Sequence, residues 1–463
     1  MQEFDVIVVG GGPSGENAAG RCADHGLSVA LIERELVGGE CSYWGCVPSK
    51  TLLRPGDVVA AARRTPGAAE AVTGRVDADA ALARRDYMTS GWRDDGQLPW
   101  LQGKGITLVR GHGRLAADRV VEVNAPTGER RRIRARQAVV LATGTAAAIP
   151  PIPGLAEAAA WDNRDATSAK EIPRRLLVLG GGAVGVELAQ AFRRLGSERV
   201  TVLEGSDRLL AREEPFAGEQ VRAAFETAGI TVVTSVVVSA VHRALPDGPV
   251  TASLSDGREI EADEILVAAG RRPATGDLGL AAVGLLSGGY LEVDERLRVA
   301  GVDGDWLYAV GDCTGRALLT HMGKYQGRIV GDVIAGRDVR DEASSTIVPR
   351  VTFTDPQVCA VGYTEETARS AGLDVRAVTY PTGAVAGAYT QGDGITGTSK
   401  LVVDARRQVV VGATFTGPGV QELLHSATIA IAGEVPLERL WHAVPSFPTI
   451  SEVWLRLLEE YGL

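Results

Sequence analysis

Cys41 and Cys46 lie in the run GGECSYWGCVPSKTLLRP, residues 38–55, with four residues between them. A loop of that length can bring two Cα atoms within the roughly 4.4–6.8 Å that a disulfide needs. Pro48 suits the first turn of a helix continuing through Ser49, Lys50 and Leu53. That helix would start at Cys46, where its dipole lowers a thiol pKa, and Lys50 adds positive charge nearby. A disulfide closing so short a loop, with one sulfur stabilised as thiolate, is expected to be redox-active rather than structural. Metal binding is the rival reading. It requires further Cys or His ligands at suitable spacing, and none is near in sequence. Cys22, Cys313 and Cys359 are scattered and read as packed thiols.

A redox pair needs an electron source, and two segments can hold one. Residues 6–34 read VIVVGGGPSGENAAGRCADHGLSVALIER and residues 176–205 read LLVLGGGAVGVELAQAFRRLGSERVTVLEG. Each is an apolar strand, a glycine turn, a helix, a second strand and an acidic residue. In the first turn Gly10 permits the tight bend, Gly12 lets backbone approach a pyrophosphate, and Gly15 lets helix and strand pack closely. Glu33, 23 residues after Gly10, stands where a carboxylate accepts ribose hydroxyls. The second turn repeats this with Gly180, Gly182, Gly185 and Glu204. Two such turns imply two dinucleotides. Glu204 favours NADH over NADPH because a carboxylate repels a 2′-phosphate, although Arg208 and Arg212 lie close enough to blunt the preference.

Composition is that of an ordinary soluble globular protein. The chain has 463 residues, 45% of them hydrophobic and 23% charged, which excludes a disordered, collagenous or coiled-coil chain. There are 57 glycines where average usage gives about 32. The net charge of -10 argues against nucleic-acid or anionic-membrane partners. Five cysteines do not make a secreted disulfide framework. The strand-like run Phe4 to Val9 leaves no room for a signal peptide, and the uncharged stretch Ala138 to Ala156 is broken by Gly144, Pro150, Pro151, Pro153 and Gly154. A cytoplasmic protein is expected. Strand and helix alternate as far as about Thr346. Beyond it Val348–Phe353, Val358–Gly362 and Leu401–Thr414 read as antiparallel strands, followed by helices at Gln421–Ala432 and Pro436–Ala443.

With both glycine turns and the C-x4-C helix quoted, the chain resembles the pyridine nucleotide–disulfide oxidoreductases, which include dihydrolipoamide dehydrogenase, glutathione reductase and mercuric reductase. Further matches are LATG (Leu141, Ala142, Thr143, Gly144) at the crossover, AAGRRP (Ala268 to Pro273, with Gly270) at the return, and LYAVGDC (Leu307 to Cys313). The fold so implied is α/β, with two Rossmann-like dinucleotide-binding domains plus a C-terminal α+β dimerisation domain. Their bounds would be 1–145 with 271–345 for FAD, 146–270 for NAD(P), and 346–463 for the homodimer interface. The resemblance implies FAD in the first cradle, with Gly39, Thr143 and Gly144 beside it and Asp312 on its ribityl chain. It implies NAD(P)H in the second, with hydride passing through flavin to the disulfide. Cys46 would be the charge-transfer thiol, Cys41 the interchange thiol, and Lys50 with Glu187 an ion pair near the reactive flavin nitrogen.

Two departures from the family stand out. Its members end in a motif like HPTxxE, where His is the acid–base and Glu orients it. Here the run is FPTISE, with Phe447 at the His position and Glu452 at the Glu position. His442 is the nearest substitute, while His25, His112, His242, His321 and His425 carry no motif. The second departure is bulky Tyr43-Trp44 between the cysteines. The leading expectation is an NAD(P)H-dependent flavoprotein acting on a small-molecule disulfide, quinone or other oxidant, with no metal site. Its alternatives are a quinone or dye reductase working directly from the flavin, and a low-turnover flavin redox sensor.

Overall fold

Val6 to Val9 are apolar without alternation, the signature of a strand buried on both faces. In the computed structural model, which describes residues 1–246 and 248–463, they lie in strand β1 (Gln2–Val9), which pairs parallel on both sides in the middle of a mixed sheet. Helix α1 (Pro13–Asp24) leads to β2 (Val29–Glu33), which pairs with β1 from Val6↔Val29 to Val9↔Ile32. Strands β3 (Thr107–Arg110), β4 (His112–Ala117), β5 (Val120–Asn124) and β6 (Arg130–Leu141) complete the order β3-β2-β1-β6-β5-β4, and Leu307–Ala309 pairs with β6. Helix Thr320–Ile334 lies close on α1, because Gly327 and Gly331 have no side chain to hold it away: a Cβ at either would stand 2.6 Å from Ser14 or Arg21. Asp332 ties the pair by accepting from Arg21 at 2.8 Å and contacting the His25 ring at 2.6 Å.

These elements belong to one of two units, made of Met1–Pro48, Asp86–Ala146 and Arg271–Ser345. The other comprises Ser49–Arg85, Ala147–Gly270 and Thr346–Leu463. It holds a four-stranded parallel sheet, ordered Ile230–Val233, Arg199–Leu203, Arg175–Leu179, Glu264–Val267, and a three-stranded antiparallel sheet over Val238–Ala262. Residues 49–85 pack here, with Leu52, Leu53, Ala81 and Leu82 against Ala191 and Leu195. The C-terminal part is a five-stranded antiparallel sheet backed by helices Leu424–Ala432 and Val453–Tyr461. The strand expected over 401–414 is a hairpin, Thr398–Asp404 and Val409–Gly417. It turns because Asp404 accepts from the amides of Arg406 and Arg407, and Gln408 adopts a left-handed φ of 53°. The helix expected over 436–443 is shorter, Leu437–Leu440.

The two sequence repeats fold alike. Gly10 and Gly180 have φ of 107° and 113°, which favour glycine. Gly12 and Gly182 cap their helices with φ of -74° and -77°. A Cβ on Gly15 would stand 1.8 Å from the Gly10 carbonyl oxygen, and one on Gly185 2.0 Å from that of Gly180. At Gly182 a Cβ would meet nothing within 4 Å. Gly185→Ala is therefore expected to cost about 2–4 kcal/mol of stability, while Gly182→Ala leaves the denaturant midpoint nearly unchanged. Urea unfolding of both variants checks this. Equal destabilisation would contradict it.

Candidate active site

At each helix start the first amides lack intrahelical partners and point out of the turn. In front of Gly182 there is open space, and Gly12 meets only Gly39 Cα at 3.9 Å. Gly39, with φ of 56°, is itself held against Gly12. Each cradle ends in a carboxylate. Glu33 Oε2 accepts from the Gly11 amide at 2.6 Å and Oε1 from Glu35 at 2.7 Å. Glu204 repeats this with Gly181 at 2.6 Å and Ser206 at 2.7 Å. Both carboxylates thus brace their own turns, and lone pairs remain for ribose hydroxyls. Open glycine backbone, free amides and a terminal carboxylate fit a dinucleotide in each unit. Arg208 is turned onto its own loop, donating to the Ala211 carbonyl at 2.9 Å.

Asp312 lies in the first unit, accepting from Thr145 Oγ1 at 2.8 Å, and Arg271 Nε donates to the same hydroxyl at 2.9 Å. Burial pushes the Asp312 carboxyl up. Thr143 and Gly144 follow β6 in this unit, with Gly144 at φ 68°. Gly270, at φ 133°, belongs to the second unit.

Cys41 lies in helix α2 (Gly39–Tyr43) and Cys46 is the first residue of α3 (Cys46–Arg64). Both are unbridged thiols. The neighbouring Cys46 side chain, then burial, raises the Cys41 thiol above its ordinary range, while Thr320 and Lys324 oppose the shift. Thr320 Oγ1 stands 3.3 Å from Cys46 Sγ. Cys46 is the more exposed of the two residues.

One turn along α3, in the second unit, Lys50 Nζ donates to Glu187 Oε2 at 2.6 Å. Glu187 is buried, and its other oxygen accepts from the Phe353 amide at 2.9 Å. Lys50 Nζ also sits 5.0 Å over the Phe353 ring, so a cation–π contact and an ion pair fix one ammonium.

The family profile for pyridine nucleotide-disulphide oxidoreductases matches residues 4–327, and that for their dimerisation domain matches 348–457. The chain belongs to this family. It is 32% identical over 457 residues to a mercuric reductase of Staphylococcus aureus, covering 97% of this chain and 81% of the relative. It is 34% identical over 459 residues to a dihydrolipoyl dehydrogenase of Thermus scotoductus, covering 98% and 96%. The Cu(II) complex of the HOCl-induced flavoprotein disulfide reductase RclA from Escherichia coli superposes with a TM-score of 0.86 at 27% identity, over 99% of both chains. The family is FAD- and NAD(P)-dependent, so this oxidoreductase is a flavoprotein with a dimerisation domain. None of its described helices is long and apolar enough to cross a membrane.

In the oxidoreductase Phe447 is 76% exposed within a largely exposed run, 441–448. His442 lies in the same run. Glu452 is buried, accepts from Arg456 at 2.7 Å through Oε1, and leaves Oε2 without a hydrogen bond. Among the described residues no group of three or more His, Cys, Asp or Glu could hold a metal ion. Sequence reading missed Thr320 and Phe353, which meet Cys46 and Glu187 only through the fold.

Glu16, in the first turn of α1, supplies a pH test. Burial pushes its carboxyl up to about 7 from 4.5, Lys324 opposes this and Glu33 adds to it. Between those values the folded protein holds a proton that the unfolded chain has lost, so stability falls as pH rises. Glu16→Gln should flatten that fall, by about 3 kcal/mol at most. Denaturant midpoints from pH 4.5 to 8 check it, and an unchanged slope would contradict it.

Proposed function

We propose that this flavoprotein passes reducing equivalents from NADH to the Cys41–Cys46 couple and on to a small-molecule disulfide or another oxidant. The observation that carries the reading is the pair of unbridged thiols, Cys41 in α2 and Cys46 at the start of α3. NADH is preferred over NADPH because Glu204 lies at the second cradle while Arg208 is held by its own loop. Gly10, Gly12, Gly15, Gly39, Glu33, Thr143, Gly144 and Asp312 hold FAD, and Gly180, Gly182, Gly185, Glu204 and Gly270 hold the nicotinamide. The working form is a homodimer with three domains per chain, bounded as the family resemblance implies.

FAD, when bound, supplies two-electron hydride chemistry. The chain does the rest. Lys50, fixed by Glu187 and Phe353, keeps a positive charge at one position. Cys46 carries the thiolate, accepting from Thr320, and is the natural sink for the proton that Cys41 must lose. Cys41 sulfur attacks a substrate disulfide, forms a mixed disulfide and releases one thiolate. Cys46, having returned that proton to the first leaving thiolate, then attacks Cys41 sulfur, closing the intramolecular disulfide and releasing the second thiolate. The second leaving thiolate still needs a proton. The Phe447 ring cannot supply it, and Glu452 is buried with Oε1 paired to Arg456.

That last point favours a second reading, in which acceptors needing no positioned acid, such as quinones, take electrons directly from the flavin. Soft metal ions belong in the same screen, given the mercuric reductases and the Cu(II) complex among the similar proteins. Phe447→His decides between the readings. A positioned acid–base is worth roughly 10²–10⁴-fold, so disulfide turnover should rise by at least about tenfold while quinone turnover stays level. Brisk wild-type dihydrolipoamide oxidation would overturn the handicap assigned to Phe447. In parallel, Cys41→Ser should lose disulfide reduction and keep NADH–quinone activity. Loss of both would argue that Cys41 serves every acceptor.

A further inference from the structure

The residues between the two cysteines are held from outside their own loop. Tyr43 ends α2 and is buried, with its hydroxyl donating to the Val37 carbonyl at 3.0 Å. Its ring meets that of Trp44 edge-on at 5.7 Å. The Tyr43 carbonyl accepts from Trp92 Nε1 at 3.1 Å. Next to Trp92, Asp94 accepts from the Val37 amide at 2.7 Å, and Arg110 pairs with Asp94 while donating to the Glu35 carbonyl. Residues 92–94 therefore grip the cysteine-bearing stretch at Val37 and again at Tyr43. The grip is held under strain. Ser90, Gly91 and Trp92 are consecutively left-handed, with φ of 53°, 59° and 55°. A bulky residue keeps such a backbone only where its surroundings over-determine it, and such residues gather at functional sites.

We propose that Tyr43 and Trp92 are positioning residues for the cysteine couple, a latch that holds Cys41 against Cys46 and thereby sets how readily the disulfide forms. This rests on the reading of Cys41 and Cys46 as a redox couple. Closing the disulfide oxidises two thiols to one S–S bond and releases two protons and two electrons, which pass to the substrate oxidant. Reopening it takes two electrons from the nicotinamide through the flavin. A cysteine-bearing stretch already tied down at Val37 and Tyr43 loses little freedom when the bond forms, so the latch favours the disulfide. It makes the couple less oxidising than a free loop of the same length. Tyr43 and Trp92 thereby gain a task that the chemistry itself does not assign.

The test uses the full-length flavoprotein and its Trp92→Phe and Tyr43→Phe variants, which keep an aromatic ring and lose one donor each. Each is equilibrated with reduced and oxidised dithiothreitol, quenched in acid, and its Cys41 and Cys46 thiols are counted by alkylation and mass spectrometry. The disulfide equilibrium constant should fall about tenfold in Trp92→Phe, equivalent to about 30 mV, and less in Tyr43→Phe. Constants within about twofold of wild type in both variants would overturn the latch, even if thermal stability drops, because a merely structural role moves stability alone. A wild type that forms no Cys41–Cys46 disulfide at any poise would instead overturn the redox reading beneath it.

Discussion

The structure depends on one close contact made twice: a helix glycine pressed onto the carbonyl of the turn glycine five residues before it, at Gly15 on Gly10 and Gly185 on Gly180. Any Cβ there would collide with backbone. The contact lets each helix begin at the end of its strand, and the same geometry leaves its first amides facing out of the turn. Gly10 donates to the Ile32 carbonyl at 2.9 Å and Gly180 to Leu203 at 2.8 Å, so each turn is also tied to the neighbouring strand. The carboxylate at that strand's end then bonds back to the middle glycine. Strand, turn, helix and carboxylate are one interlocked object, present in both units.

Helix α3 carries the remaining chemistry. Its first residue is Cys46, and Lys50 follows one turn later. Farther along, Asp57 pairs with Arg194 at 2.6 Å, and Arg194 and Arg64 both reach Asp355, at 2.8 and 2.9 Å. Gln190 grips the Asp355 backbone through both its amide and its carbonyl. These ties fix the part of α3 that lies in the second unit against helix Ala183–Leu195 and the 353–355 segment, the two elements that hold Glu187. Charges of both signs alternate along this seam, so each buried group has a partner.

The glycine turns, the carboxylates and the cysteine helix were legible because each requires particular residues at fixed short spacing. What the carboxylates do was only half legible. Ribose contact was expected of Glu33 and Glu204, yet their first partners are their own turns. Thr320, Phe353 and Trp92 could not be read, since no local pattern announces a contact made across hundreds or dozens of residues. Within the C-terminal sheet, the apolar stretches on either side of Asp404–Gln408 merged into one expected strand. The turn chemistry of Asp404 separates them.

The central claim is that the cysteine pair exchanges electrons in addition to the flavin. Anaerobic reductive titration with dithionite measures this by counting electrons per chain. The account predicts an uptake of about four electrons by the wild type and about two by Cys46→Ser, since flavin and disulfide are each two-electron couples. An uptake of about two by both proteins would contradict it.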